Sequence, residues 1–204
     1  MKTTSSNVRY LTQLALLIAI ELAMRAIGLG AIPVGPLVMS FLTLPIAVGA
    51  ILCGPVSGLI LGGVFGVLSL TDAISGRSVM TGTFFAISPV HTAILCIGMR
   101  LLMGYCCGLL YKLVRKADPR GTWSYFVGSV SAPLLNTLFF MGYICLVFYR
   151  CDYVQGLVTK LGATNPIMFV ILLVGVQGLA EAGVCGVLGG FVSKTLDVVL
   201  KREK

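Results

Sequence analysis

Five side chains of types that recognise polar ligands stand inside long apolar runs: Arg100, Asn136, Tyr143, Gln177 and Glu181. Arg100 falls about eleven residues into its run, ~17 Å from the outer end at 1.5 Å per residue. Asn136 falls about thirteen residues from the outer end of the next, at ~20 Å, and Gln177 about eleven residues into the last, again at ~17 Å. Glu181 is one turn beyond Gln177 on the same face. Tyr143 lies two turns from Asn136 on its face, about 10 Å nearer the outside. A guanidinium offers a planar fork that matches a carboxylate, and carboxamides pair with amides and hydroxyls. An ionisable group at mid-membrane costs roughly 2.5–3.5 kcal/mol on insertion scales, so it faces the bundle interior and has a partner. Two arrangements meet that rule. Arg100 and Glu181 form an ion pair buttressed by the two carboxamides, or the layer lines an outward-opening pocket for a polar small molecule. Two carboxamides exceed what helix register needs, which favours the pocket. His91, nine residues before Arg100, reads as a packing or interfacial residue on the opposite face.

Catalytic chemistry finds little support. Ser88 and His91 are neighbours, but a nucleophile and its base normally come from different elements, with an oxyanion-stabilising turn beside the serine. The stretch from Gly189 to Thr195 superficially matches a phosphate loop, yet Leu188 and Ser193 occupy the positions where its glycines belong. Nor is there an H-E-x-x-H motif or a paired catalytic carboxylate motif. The seven cysteines sit mostly in apolar runs and show no C-x-x-C spacing, so they read as small packing residues rather than disulfides or zinc ligands. No metal, cofactor or enzymatic activity is expected.

The elements that must position this layer are membrane spans. The chain is 57% hydrophobic and 11% charged, with a mean hydropathy of +1.01; soluble domains carry roughly 25% charged residues. Its net charge of +8 belongs to the ends of apolar runs, where it orients a membrane protein rather than binding nucleic acid. Residues 1–204 read as one transmembrane domain, an all-α bundle of six spans: about 10–28, 38–53, 56–70, 89–111, 123–149 and 166–192. The polar tail before the first span resembles the start of a signal peptide, but Glu21 and Arg25 interrupt the apolar core and no cleavage site follows, so the span is read as uncleaved. Between spans lie loop 29–37 with Pro33 and Pro36, the Gly54-Pro55 turn, loop 72–88 and loop 150–165. Pro45 interrupts the second span. Lys2, Arg9, Lys112, Arg115, Lys116, Arg120, Lys194, Lys201, Arg202 and Lys204 lie on the side of the termini, against Arg77, Arg150 and Lys160 on the other. This bias puts both termini in the cytoplasm of a multi-pass cell-membrane protein.

In the first span Ala15, Ala19 and Ala23 stack on one face, and Glu21 and Arg25, also four apart, project from roughly the opposite one as an ion pair. Small residues at this spacing let another helix approach closely, either within the chain's own bundle or from a partner.

Taken together, these residues resemble the substrate-binding S component of energy-coupling factor (ECF) vitamin transporters. The resemblance spans about residues 8–200. It is carried by the alanine ladder, the run Ile32-Pro33-Val34-Gly35-Pro36 and the turn Gly54-Pro55-Val56-Ser57-Gly58. Arg100 ahead of a Gly-rich helix ending Tyr111-Lys112, Gln177 to Glu181 in the last span, and the six-span layout complete it. The resemblance implies a non-enzymatic subunit that binds a vitamin from outside, with loops 29–37 and 72–88 capping the pocket. It also implies docking of Ala15, Ala19 and Ala23 on a transmembrane coupling protein driven by two ATPase subunits. The arrangement of Arg100, Asn136, Gln177 and Glu181 looks most like the pantothenate subfamily. Pantothenate offers a carboxylate for Arg100, and an amide and two hydroxyls for the carboxamides and Tyr143. Glu181 argues the other way, since a carboxylate near Arg100 suits an uncharged ligand. Trp123, the only tryptophan, lies near the cytoplasmic end, so a flat vitamin such as riboflavin or thiamine is disfavoured, although Phe84, Phe85, Phe139 and Phe140 offer some aromatic surface. Other vitamins, a membrane scaffold and an independent channel or carrier are the alternatives.

Overall fold

The computed structural model describes residues 2–29, 32–34, 37–118 and 123–202. Gly30, Ala31, Gly35 and Pro36 of the expected first cap, and Arg120 and Lys204 of the basic count, lie outside them. The described chain is built from helices: α1 (Lys2–Ala26), α2 (Thr43–Leu52), α3 (Pro55–Ile74), α4 (Val79–Ile87), α5 (Pro89–Ala93), α6 (Met99–Ala117), α7 (Trp123–Tyr143), α8 (Asp152–Leu161), α9 (Pro166–Val184) and α10 (Gly190–Arg202). One short antiparallel hairpin, β1 (Ile32–Val34) and β2 (Leu37–Met39), follows α1, with Ile32 opposite Met39. Three π-helical segments, Ile94–Gly98, Ile144–Phe148 and Cys185–Gly189, join α5 to α6, extend α7 and join α9 to α10.

Among the described residues, five helical stretches are long and apolar enough to cross a membrane: Asn7–Ala26, Pro55–Ile74, Pro89–Ala117, Trp123–Phe148 and Pro166–Val199. The expected second span differs. Its first residues are spent on β2, and α2 has 10 residues, or ~15 Å, against a hydrocarbon core of about 30 Å. Pro45 does not interrupt α2, because it sits in the first turn, where its missing N–H has no intrahelical partner to lose. Two of the expected loops also contain helices. In α4, Met80 and Phe84 are buried, and in α8 Val154 is; packing of these apolar residues outweighs the turn-forming residues that flank them.

The turn at Gly54 adopts φ 96°, a left-handed conformation open to glycine, and Pro55 then starts α3 at a position that needs no N–H donor. Along α3, Gly58, Gly62 and Gly66 form a seam against Gly104, Arg100 and Cys96 of the α5–α6 run. A Cβ on Gly62 would stand 2.2 Å from the Arg100 carbonyl oxygen, and one on Gly58 2.2 Å from that of Gly104. The descending order of the partners makes the two helices antiparallel, with their backbones in contact. Two apolar clusters complete the packing. One gathers Leu14, Leu17, Ile46, Leu61, Phe65 and Met103 from α1, α2, α3 and α6; the other gathers Phe84, Leu95, Ile144, Phe148, Val154 and Phe169 around α4, α8 and α9.

Candidate functional site

Between the two clusters lies a cavity of about 180 Å³, walled by α3, α6, α7 and α9, with the N-terminal turn of α4 also in its lining. The expected layer meets there: Arg100 from α6, Asn136 from α7, and Gln177 and Glu181 from α9 all line it. Arg100 is brought in by the glycine seam, which sets its backbone directly against Gly62. Its guanidinium is held between two aromatic faces, 4.3 Å from the ring centroid of Phe65 and 4.7 Å from that of Phe140. Both rings turn their negative faces to the cation. Nη1 donates to the Cys96 carbonyl at 3.2 Å, one turn back in the π-helical segment, and Nε is buried without a partner.

Glu181 is engaged elsewhere. Its Oε1 accepts from the backbone N–H of Ser40 at 2.9 Å and from Gln177 Nε2 at 3.3 Å. Among the described residues it forms no ion pair with Arg100. The Ser40 contact ties the end of the hairpin to α9. Because Gln177 points its amino group at Glu181, its Oε1 is turned aside, and this atom too is buried without a partner. Thr81 Oγ1 is a third such atom, so three residues that line the cavity each carry a buried polar atom without a partner. Buried polar groups are normally hydrogen-bonded; three orphans around one cavity mark places where a polar ligand completes the network.

At the mouth, Arg25 of α1 forms a salt bridge with Asp72 of α3, beside Arg77 and Ser78. This corrects the expected Glu21–Arg25 pair. Glu21 instead faces inward, fully buried, with both carboxylate oxygens lacking a partner among the described residues. The cross-helix carboxylate of Asp72 captures Arg25 in place of the one four residues away. Loop 72–88 contributes to the cavity through Asp72, Arg77, Ser78, Met80 and Thr81; from the other expected cap, the adjoining Ser40 and Leu42 do so.

Tyr143 is not among the lining residues. Its hydroxyl hydrogen-bonds His91 Nδ1 at 2.9 Å. The π segment Ile94–Gly98 carries an extra residue within its turn. His91 is exposed and outside the lining while Arg100 is buried in it, in keeping with the interfacial place expected of His91. The alanines of α1 face away from the bundle: Ala15, Ala19 and Ala23 are exposed, while Leu14, Leu17 and Glu21 are buried.

Phe65, Ser40 and Thr81 were not anticipated. Phe65 could have been found from the Gly58–Gly62–Gly66 spacing, which identifies the face of α3 that meets Arg100. Thr81 gave no such signal, lying in a stretch that reads as loop. A model of the family described as ECF transporter, substrate-specific component, matches residues 9–189. No curated protein matches the chain.

Proposed function

Since the chain belongs to the family of ECF transporter substrate-specific components, and is thus a multi-pass membrane subunit that binds a small molecule for its transporter rather than an enzyme, we propose that its ligand is pantothenate. The observation that carries this reading is the state of Arg100: a buried guanidinium, stacked between Phe65 and Phe140, with an unpartnered Nε and, among the described residues, no carboxylate within ion-pair distance. Such a group suits a ligand carboxylate. Asn136 and the free Oε1 of Gln177 then serve the amide and hydroxyls, and Glu181 orients Gln177. Tyr143 belongs to this proposal as an outer-rim residue held by His91.

The proposed topology has six spans, with the hairpin and α2 together filling the place of the second, and both termini in the cytoplasm as the Lys/Arg bias requires. The whole chain forms one substrate-binding domain. The exposed Ala15, Ala19 and Ala23 dock on the transmembrane coupling protein, and two ATPase subunits drive transport.

Titration calorimetry of the purified protein with pantothenate, using riboflavin, thiamine and biotin as controls, tests the ligand. Saturable binding to pantothenate alone is expected, and Arg100→Ala weakens it about 100-fold, the scale for truncating one partner of a buried charge pair, while the helical circular dichroism stays intact. Binding of another vitamin in its place sinks the pantothenate assignment; loss of folding in Arg100→Ala returns the residue to a packing role.

A further inference from the structure

Thr81 is 4% exposed, lines the cavity and carries a buried hydroxyl without a partner. Thr83 and Thr92 absorb their own hydroxyls: Thr83 donates to the Val79 carbonyl at 2.9 Å, and Thr92 to that of Ser88 at 2.9 Å. Thr81 makes no such bond, and the residue four before it, Arg77, precedes α4. Its helix is fixed in place. Phe84, fully buried, stacks on Phe148 with centroids 4.3 Å apart and meets Tyr153 edge-on. On the other side, a Cβ on Gly82 would stand 3.4 Å from the Ala73 carbonyl, so α4 packs on the outer end of α3.

That contact gives the height of Thr81 in the cavity. Ala73 is eleven residues beyond Gly62, ~16 Å along α3, and Gly62 abuts Arg100. The Arg100 side chain climbs one turn toward the mouth to reach Cys96, which closes ~6 Å of that distance. Guanidinium and Thr81 thus stand roughly 10 Å apart along the cavity, by the same helical rise.

We propose that Thr81 recognises the hydroxyl-bearing end of an elongated carboxylate ligand whose acid group lies on Arg100, so that the substrate enters acid first and α4 reads its trailing end. This inference rests on the pantothenate reading and adds an orientation and a specificity-determining residue to it.

The test is a binding cycle by calorimetry on the full chain, with pantothenate and its dideoxy analogue, in which both hydroxyls are replaced by hydrogen. The wild-type protein prefers pantothenate. Thr81→Val lowers pantothenate affinity about tenfold, the scale of one lost hydrogen bond, and leaves the dideoxy analogue unchanged; Thr81→Ser restores the preference. Pantothenol, which lacks the carboxylate, loses the same factor relative to pantothenate in wild type and in Thr81→Val, because that loss belongs to Arg100. If Thr81→Val weakens both acids equally, or neither, the orientation is overturned while the ligand stands. An absent wild-type preference for pantothenate over the dideoxy analogue overturns it without any variant. No wild-type binding of pantothenate overturns the ligand and the orientation together.

Discussion

Arg100 and Glu21 are both buried in the bundle, but their surroundings treat the two side chains differently. Arg100 has two aromatic faces and a carbonyl, enough to hold a cation in place while leaving Nε for a ligand. Glu21 has neither a cation nor a hydrogen-bond donor among the described residues, since Asp72 has taken Arg25. A buried polar group without a partner keeps its full desolvation cost, about 1–3 kcal/mol or more. Glu21→Met, of similar length and apolar, is therefore expected to stabilise the detergent-solubilised protein by that amount, raising its melting temperature by on the order of 5 °C. A lower melting temperature would instead show that Glu21 contributes to the fold. The spacing of Glu21 and Arg25 on one helix was legible in the sequence. The competing carboxylate, 47 positions away, was not.

At the scale of elements, the α3–α6 seam sets the site. Gly62 allows the Arg100 carbonyl to approach so closely that any side chain must push the two helices apart. Overpacking of this kind costs typically 1–3 kcal/mol. Gly62→Ala is expected to lower the melting temperature and, by displacing Arg100 from Phe65, to weaken ligand binding about tenfold. Gly183→Ala, where an added Cβ meets open space on an exposed helical face, leaves binding unchanged and raises the melting temperature slightly, since alanine favours the helix by about 1 kcal/mol over glycine. Equal behaviour of the two variants would remove the seam from any role in placing Arg100. The π-helical segments belong to this scale too. They shift the faces of the α5–α6, α7 and α9–α10 runs by a residue, a change that a regular period of 3.6 cannot foresee.

For the whole molecule, the proposed binding and docking surfaces lie on different faces. The cavity is walled by α3, α4, α6, α7 and α9 and reached from α1 through Arg25, whereas Ala15, Ala19 and Ala23 of α1 face away from the bundle. Ala19→Leu is expected to leave pantothenate affinity unchanged within about twofold, as an exposed substitution away from the site. It should at the same time abolish uptake in cells co-expressing the coupling protein and ATPases, because a larger side chain blocks close helix approach. Normal uptake by this variant would dissociate the ladder from docking.

The sequence by itself determined the membrane class, because a chain so apolar and so poor in charge cannot be soluble. It also gave Arg100, Asn136, Gln177 and Glu181 similar expected heights, because helical rise turns sequence position into height, and the four line one cavity. Only the tertiary structure decided what those residues do with one another. Hydrogen-bond partners depend on which helices adjoin and how they are rotated, so Glu181 turned to Ser40, Arg25 to Asp72 and Tyr143 to His91. It likewise decided that the stretch 72–88 contains a helix, α4, because the packing of Met80 and Phe84 supplies a stability that local propensity lacks.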